Sequence, residues 1–557
     1  MAARAHRIPT TRLRFHDLIW LLRDFDLLSV LLRALTLGLE MLTLGGVAYL
    51  LLIAVPGTAA GPAMRACWRG IRWAATCLAV TEVAYVAVDS TILMGSSGLH
   101  LDELVMAPYF LAGIAAAIGA VSIAVCSLYP GSVAAKYSLL PFSLVILAAI
   151  VSTSHSVSRM EDRVVLALLT GAHQLGASIW IGAMPFLLFS LKRALNPEEA
   201  KRMLKRFSPM ALTGAATLLA GGAGMGWFYL GVSADRSLSG LYGTAYGVMM
   251  ISKIYLVLLV MGLGAGNYFL VRRIESAPME LLARLRRFGE VEIGLGFMAV
   301  LAAASMTSQP PAVDMPHDRV SMAEIVARFR PMVPRMTSPA FGELAPSTPL
   351  DVSVKESQFS GANAASDAND EAWSEYNHHW SGVIVLAAGL FALLSRLPRS
   401  SWARNWPVVF AGLAVFIVLR ADPDCWPLGP RPFWASMYAP DVLQHRLYAV
   451  LILAFAAFEW GVQTGRLHSR WAAGVFPLLC AAGGALLLTH NHSIGNVKEE
   501  LLAEMSHTPI ALLGATAGWS RWLELRLPGQ KESRFASYVW PVCLMLVGLV
   551  LLNYRES

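Results

Sequence analysis

Long apolar runs recur along almost the whole chain, separated by short polar stretches, and this feature limits the possible folds more than any other. TLGLEMLTLGGVAYLLLIAV, SPMALTGAATLLAGGAGMGWFYLGV and YLVLLVMGLGAG are long enough, or nearly so, to cross about 30 Å of hydrocarbon as helices. In lipid the backbone polar groups must be satisfied within the segment, which selects helices for runs of this kind. Composition agrees: 56% of the 557 residues are hydrophobic and 15% are charged, against about 25% charged in an ordinary soluble domain. The expected fold is an all-α polytopic membrane protein embedded in a lipid bilayer.

Hydropathy predicts about fourteen transmembrane helices in two bundles, eight before residue 307 and six after residue 377. The first eight fall near 34–56, 73–92, 107–128, 134–152, 164–190, 208–231, 246–270 and 290–306. The later six fall near 380–396, 404–420, 445–462, 471–489, 508–523 and 537–552. Residues 1–33 read as an amphipathic interfacial segment ahead of a membrane domain at 34–306. Residues 307–377, with PP, VPRMTSP and SGANAASDANDEA, read as a polar extramembrane linker, and 378–557 as a second membrane domain.

Lysine and arginine concentrate in 191–206, 271–289, 395–404, 463–470 and 520–534, which places these loops inside. The alternate loops, 92–106, 153–163, 232–245, 421–444 and 491–506, then lie in the periplasm, or outside. The six arginines of residues 1–33 run against this parity. The net charge of +7 sits in these short loops, so it signals topology and not nucleic-acid binding. Six scattered cysteines without a C-x-x-C signal neither a thiolate metal pair nor a disulfide framework.

Histidines gather at the outer helix ends of the second half: His378 and His379 in YNHHWSG, His445 in DVLQHRLY, and His490, His492 and His507 in THNHSIGNVKEELLAEMSHTP. Imidazole suits copper and borderline divalent ions, so six such residues at one depth form a candidate metal or cofactor site. Ile494, Val497, Leu501 and Met505 share one stripe, which predicts a surface helix over 493–505, with Ser506 capping the next helix and Pro509 in its first turn. The outer loops of the first half add Met94, His100, Met106, His155 and Met160, and the linker adds Met315, His317, Met322, Met332 and Met336. Methionine there is either packing or a soft ligand.

Ionisable groups also interrupt the apolar runs. Glu82 and Asp89 lie seven residues apart on one helix face, Lys253 sits about two turns into its helix, and Glu40 lies toward the outer end of the first. His173 lies well inside its own helix, with Trp180 two turns deeper. Such groups form either a structural ion pair or a polar path inward from the outer surface.

GAHQLGASIWIGAMPFLL, RFSPMAL, LYGTAYGVMMISKIYLVLLVMGLGAGNYFL and GEVEIGLGFMAVLAAASMTSQPPA resemble the CopD family of inner-membrane copper-resistance proteins over residues 35–312. WPLGP, VLQHRLY, THNHSIGNVKEELL, HTPIALL and RWLELRLP resemble the C-terminal extension of longer members. The resemblance implies copper handling at the periplasmic face, passage across the membrane, and a periplasmic CopC-type carrier as partner. His173, Trp180 and Lys253 match the family's motifs. The copper oxidation state stays open. No G-x-x-x-x-G-K-[ST] and no D-K-T-G-T occurs, which argues against ATP-driven pumping. Two other readings stand beside copper transport: a haem b electron-transfer protein or cupric reductase, and a non-enzymatic factor that delivers copper to another protein.

Overall fold

A computed structural model describes residues 25–58, 61–97, 100–194, 196–273, 278–340, 368–437, 440–488 and 497–556. Among these residues the chain is helical, with a single isolated bridge between Cys425 and Arg431. Numbering only the long membrane helices, the first half contains α1 (Phe25–Tyr49), α2 (Gly61–Ser97), α3 (Pro108–Cys126), α4 (Val133–Ser152), α5 (Arg163–Ala177), α6 (Pro197–Tyr229), α7 (Ala245–Arg272) and α8 (Pro278–Thr307). The second half contains α9 (Ala368–Leu394), α10 (Val408–Arg420), α11 (Pro440–Gln463), α12 (Arg470–Leu487), α13 (Val497–Arg526) and α14 (Lys531–Leu552).

A long helix therefore lies at each of the fourteen expected positions. Twelve are long and apolar enough to cross a membrane by length and composition; α6 and α13 are not among them. The apolar part of α6 is built largely from Gly, Ala and Thr, and α13 begins with a charged turn, which lowers the hydropathy of both. The first helix starts at Phe25, so the boundary expected at residue 34 moves into the interfacial segment.

The loops assigned to the outside meet at one end of the molecule. Arg159 pairs with Asp314 at 3.1 Å, the Val320 amide donates to the Gly243 carbonyl, and Lys498 lies 3.8 Å from Glu324. Residues 329–340 cross this same end as an extended strap. The Met332 amide donates to Asn553 Oδ1, Trp380 Nε1 donates to the Met336 carbonyl, and Arg420 donates to Ser338. This end is called the histidine face below. The stretch 341–367 lies outside the described residues.

The two halves are not separate bundles. One hydrophobic core runs from Met41, Ile71 and Leu256 into Ala481, Ala511 and Ala515. The Trp519 indole occupies the space where a Gly294 side chain would stand and donates to Met298 Sδ at 3.4 Å. Tyr255 and Thr516 hydroxyls are 2.8 Å apart, and Trp522 Nε1 donates to Glu290 at 3.1 Å. The expected break between a surface helix over 493–505 and a following span is absent from residue 497 onward. The α13 helix is continuous, Pro509 is interior, and Ser506 Oγ bonds back to Leu502 instead of capping. Leu501 is buried among Leu166, Tyr229 and Tyr246, so tertiary packing on the first half carries the helix through the proline.

At the opposite end, Glu524 collects Arg396 (2.6 Å), Arg521 (2.7 Å) and Trp540 Nε1 (2.6 Å), while Arg521 also reaches Glu459 at 2.8 Å. Glu459 and Arg521 are fully or almost fully buried. Removing one member of such a network leaves buried charge uncompensated. Glu524→Ala is expected to destabilise the fold by roughly 3–5 kcal/mol, read as a lower thermal midpoint in detergent. Small residues matter at the α9–α14 crossing, where a Cβ on Gly548 would lie 2.6 Å from the Leu386 amide nitrogen. Gly548→Leu should cost about 1–3 kcal/mol in the same assay, whereas Gly412→Leu, with open space at its Cβ, should be neutral.

Candidate functional site

A cavity of about 730 Å³ opens inside the first half, lined by residues of all eight helices α1 to α8. Its lining begins at His155 and Ser308 on the histidine face and ends at Trp180 in the membrane interior. Glu40, Glu82, Asp89, His173 and Lys253 all line it. The intramembrane polar groups singled out in the sequence thus share one space.

Local helix geometry sets His173. α5 passes into a π-helical stretch, Ser178–Gly182, before resuming at Met184–Leu191. Gly221 and Gly222 let the α6 backbone come close: a Cβ on Gly222 would sit 3.0 Å from His173 Nδ1. At this approach His173 Nδ1 donates to the Leu218 carbonyl at 2.8 Å. Nδ1–H is thereby committed, and the neutral ring keeps its lone pair on Nε2.

The acidic wall comes from α1 and α2. Glu40 and Glu82 are 3% and 4% exposed, and both line the cavity. Arg33 lines the same cavity, and its guanidinium lies 5.8 Å from the Tyr85 ring centroid. Tyr85 and Asp89, both on α2, line the same wall. No ion pair joins Lys253 to Glu82 or Asp89 among the described residues. The structural ion pair weighed from sequence is not formed.

Thioethers that the sequence reading passed over line the same space: Met41, Met225, Met250, Met261 and Met306. Thr170 Oγ1 donates to Met225 Sδ at 3.2 Å. Soft thioether, imidazole nitrogen and carboxylate oxygen together suit a soft or borderline cation. Beyond Trp180, Asn267 hydrogen-bonds Glu292, a carboxyl only 1% exposed on α8. Both the Trp180 ring and this carboxyl lie against Gly264. Glu292 stands within GEVEIGLGF, and its apolar flanks were the one available signal.

The described second-half histidines fall into three settings. His379 is fully buried; its Nδ1 accepts from the Arg335 amide at 2.7 Å and its Nε2 donates to the Tyr554 carbonyl at 3.0 Å. Neither nitrogen remains for a metal, so His379 is a structural residue. His378 stacks on Tyr554 (3.8 Å between centroids), with the His507 ring 6.0 Å away. Burial first, then the adjacent Glu556 carboxylate, raises the Tyr554 hydroxyl above its usual range. His445 makes a separate pair with Asp422 at 2.9 Å. His490 and His492 lie outside the described residues. Among the described residues, no group of three or more His, Cys, Asp and Glu is arranged to hold a metal ion.

The first-half loop residues divide similarly. His155 Nε2 donates to the Thr307 carbonyl at 3.2 Å at the cavity mouth. The His100 amide donates to Glu103, and Met94, Met106 and Met160 are exposed on the histidine face.

Fold and site define a multi-pass, all-α membrane protein whose first half holds a cavity with several ionisable groups in a mostly apolar lining. Residues 201–306, a stretch that contains α7 with Lys253 and most of α6 and α8, match the family model described as Copper resistance protein D. Copper transport protein CutJ of Bacillus subtilis (strain 168) is 30% identical over 154 residues, 27% of this chain and 26% of that protein. The chain spans about a quarter of the length of the curated relative it matches. No solved structure matches.

The cavity's entrance can be tested by thiol labelling in oriented vesicles. Gln174→Cys, on the lining, should react with a membrane-impermeant thiosulfonate added at the histidine face. Leu256→Cys, at a fully buried position, should not. Protection of Gln174→Cys from that face would refute the assigned entrance.

Proposed function

We propose that this protein transports copper ions across a bacterial inner membrane, admitting them at the histidine face and passing them inward through the first-half cavity. One observation carries the reading. Glu40, Glu82, Asp89 and His173 converge with several methionine thioethers in one cavity, within a membrane protein whose residues 201–306 match the Copper resistance protein D family model. Similarity to a copper transport protein supplies the cargo.

In this reading the exposed Met94, Met106 and Met160 collect copper at the surface, where a periplasmic CopC-type carrier would deliver it. The ion then passes His155 and reaches His173, whose Nε2 lone pair points to ligation because Nδ1 is tied to Leu218. Dispersed, weak ligands favour release as well as capture, which transport requires. Trp180 and the π-helical stretch close the floor, and Glu292 with Asn267 offers the next polar station inward.

Proteoliposomes containing a trapped copper(I) chelator test the proposal. Wild-type protein should raise the initial rate of copper entry above protein-free vesicles. His173→Ala should lower that rate by about tenfold or more, in line with the sensitivity of metal sites to their supporting residues. Entry no faster than in empty vesicles would refute transport, and an undiminished His173→Ala rate would refute the route.

A further inference from the structure

Helices α6 and α7 follow one another in the chain but do not pair along their lengths. α6 packs on α5 and α7 packs on α8, whereas α6 and α7 touch each other sparsely. Consecutive helices usually lie side by side, so this separation leaves a slit. Leu219, Ala223 and Trp227 recur on one face of α6, and Ile254, Leu258 and Met261 on one face of α7. All six line the cavity, and all six are exposed. Ile254 is 48% and Leu258 59% exposed, whereas lining residues deeper in the bundle, Val260 and Trp180, are 1% and 5% exposed. The six therefore face both the cavity and the outside of the bundle, and they form the rims of an opening between the two. Ile254 and Leu258 lie well inside the α7 span, where the outside is hydrocarbon.

The space behind the slit suits an amphipathic guest. Its lining is mostly apolar, with the aromatic side chains of Tyr85, Tyr109, Trp180 and Trp227 in it, and its volume of about 730 Å³ falls in the range of small-molecule pockets. Lys253 adjoins the rim residue Ile254 and lines the same space, and its Nζ has no hydrogen-bond or ion-pair partner among the described residues. His173 offers the Nε2 lone pair, since Nδ1 is bound to the Leu218 carbonyl. At 1.5 Å per residue the two stand about 12 Å and 15 Å below the outer starts of α7 and α5. A donor and an acceptor thus share one level. They match a head that accepts at one edge and donates at another, while Glu40, Glu82 and Asp89 in the same lining oppose an anionic head.

We propose that this cavity binds a quinone or quinol dissolved in the membrane, which enters sideways through the slit between α6 and α7. The flat ring lies among the aromatic side chains. One ring oxygen accepts from Lys253 Nζ, and a hydroxyl of the reduced form donates to His173 Nε2. The apolar tail stays in the slit, against Leu219, Ala223, Ile254 and Leu258. A phospholipid acyl chain fits the slit alone, because its head is held at the bilayer surface and leaves Lys253 and His173 unused. The inference adds a second occupant and does not depend on copper passage. A ring seated at His173 and an ion held there exclude each other.

A photoreactive azidoquinone with a short apolar tail is the probe, added to lipid nanodiscs that hold the purified full chain. Irradiation should label the peptides that carry Leu219 to Trp227 and Ile254 to Met261, and excess unlabelled short-tailed quinone should displace most of that label. Lys253→Met should lower the displaceable labelling by roughly tenfold, the effect of losing one buried hydrogen bond. Ala223→Trp, which fills the slit, should lower it as well. Ala216→Trp, on the exposed surface of α6 outside the lining, should not. A photoreactive phospholipid should label these peptides equally in wild type and Lys253→Met. Label spread over all lipid-facing helices, with no displacement, overturns the site. Displaceable labelling that Lys253→Met leaves intact overturns the quinone head and marks a groove for acyl chains. Copper entry into quinone-free proteoliposomes is read separately, so a failure here is distinguishable from a failure of transport.

Discussion

The hydrogen bond from His173 Nδ1 to the Leu218 carbonyl is the interaction on which the arrangement of the first half turns. It requires α6 to approach α5 at backbone distance, which the glycines of α6 permit and larger residues would prevent. The seam borders the cavity, since His173, Leu218 and Gly222 all line it, and α1, α2 and α7 face the same space with charged groups that lipid would reject. Close packing and open space meet at one contact.

The helical architecture was largely legible in the sequence, since a bilayer leaves the backbone few alternatives and each long apolar run marks a helix. The polar lining was legible in part. Glu82 and Asp89 at seven-residue spacing had to share a face, as did His173 and Trp180. What sequence could not show was which helices meet. Glu40 and Glu82, 42 positions apart in the chain, face one cavity only because α1 packs on α2. His379 looked available until Arg335 and Tyr554, distant in sequence, occupied both ring nitrogens. The strap that brings Arg335 there had no periodic signal, only polar composition.

The continuity of α13 is a second such case. Local rules favour a break before Pro509, since proline lacks the amide that would bond the preceding turn. Burial of Leu501 against Leu166 and Tyr229, together with the Thr508 hydroxyl bonding back to the Glu504 carbonyl at 3.1 Å, outweighs that preference. The consequence is structural unity: a helix of the second half supplies part of the outer packing of the first.

The seat of Trp519 on Gly294 has a mechanical meaning. An indole lodged in the groove of a neighbouring helix works like a key in a shaft, allowing little independent sliding or rotation. α8 forms a wall of the cavity, while α13 reaches from the histidine face to the buried arginine network. Whatever tilts one of these helices tilts the other. The lock therefore ties one wall of the cavity to a helix that runs down to the buried arginine network, so the packing at one end is set in part by the packing at the other.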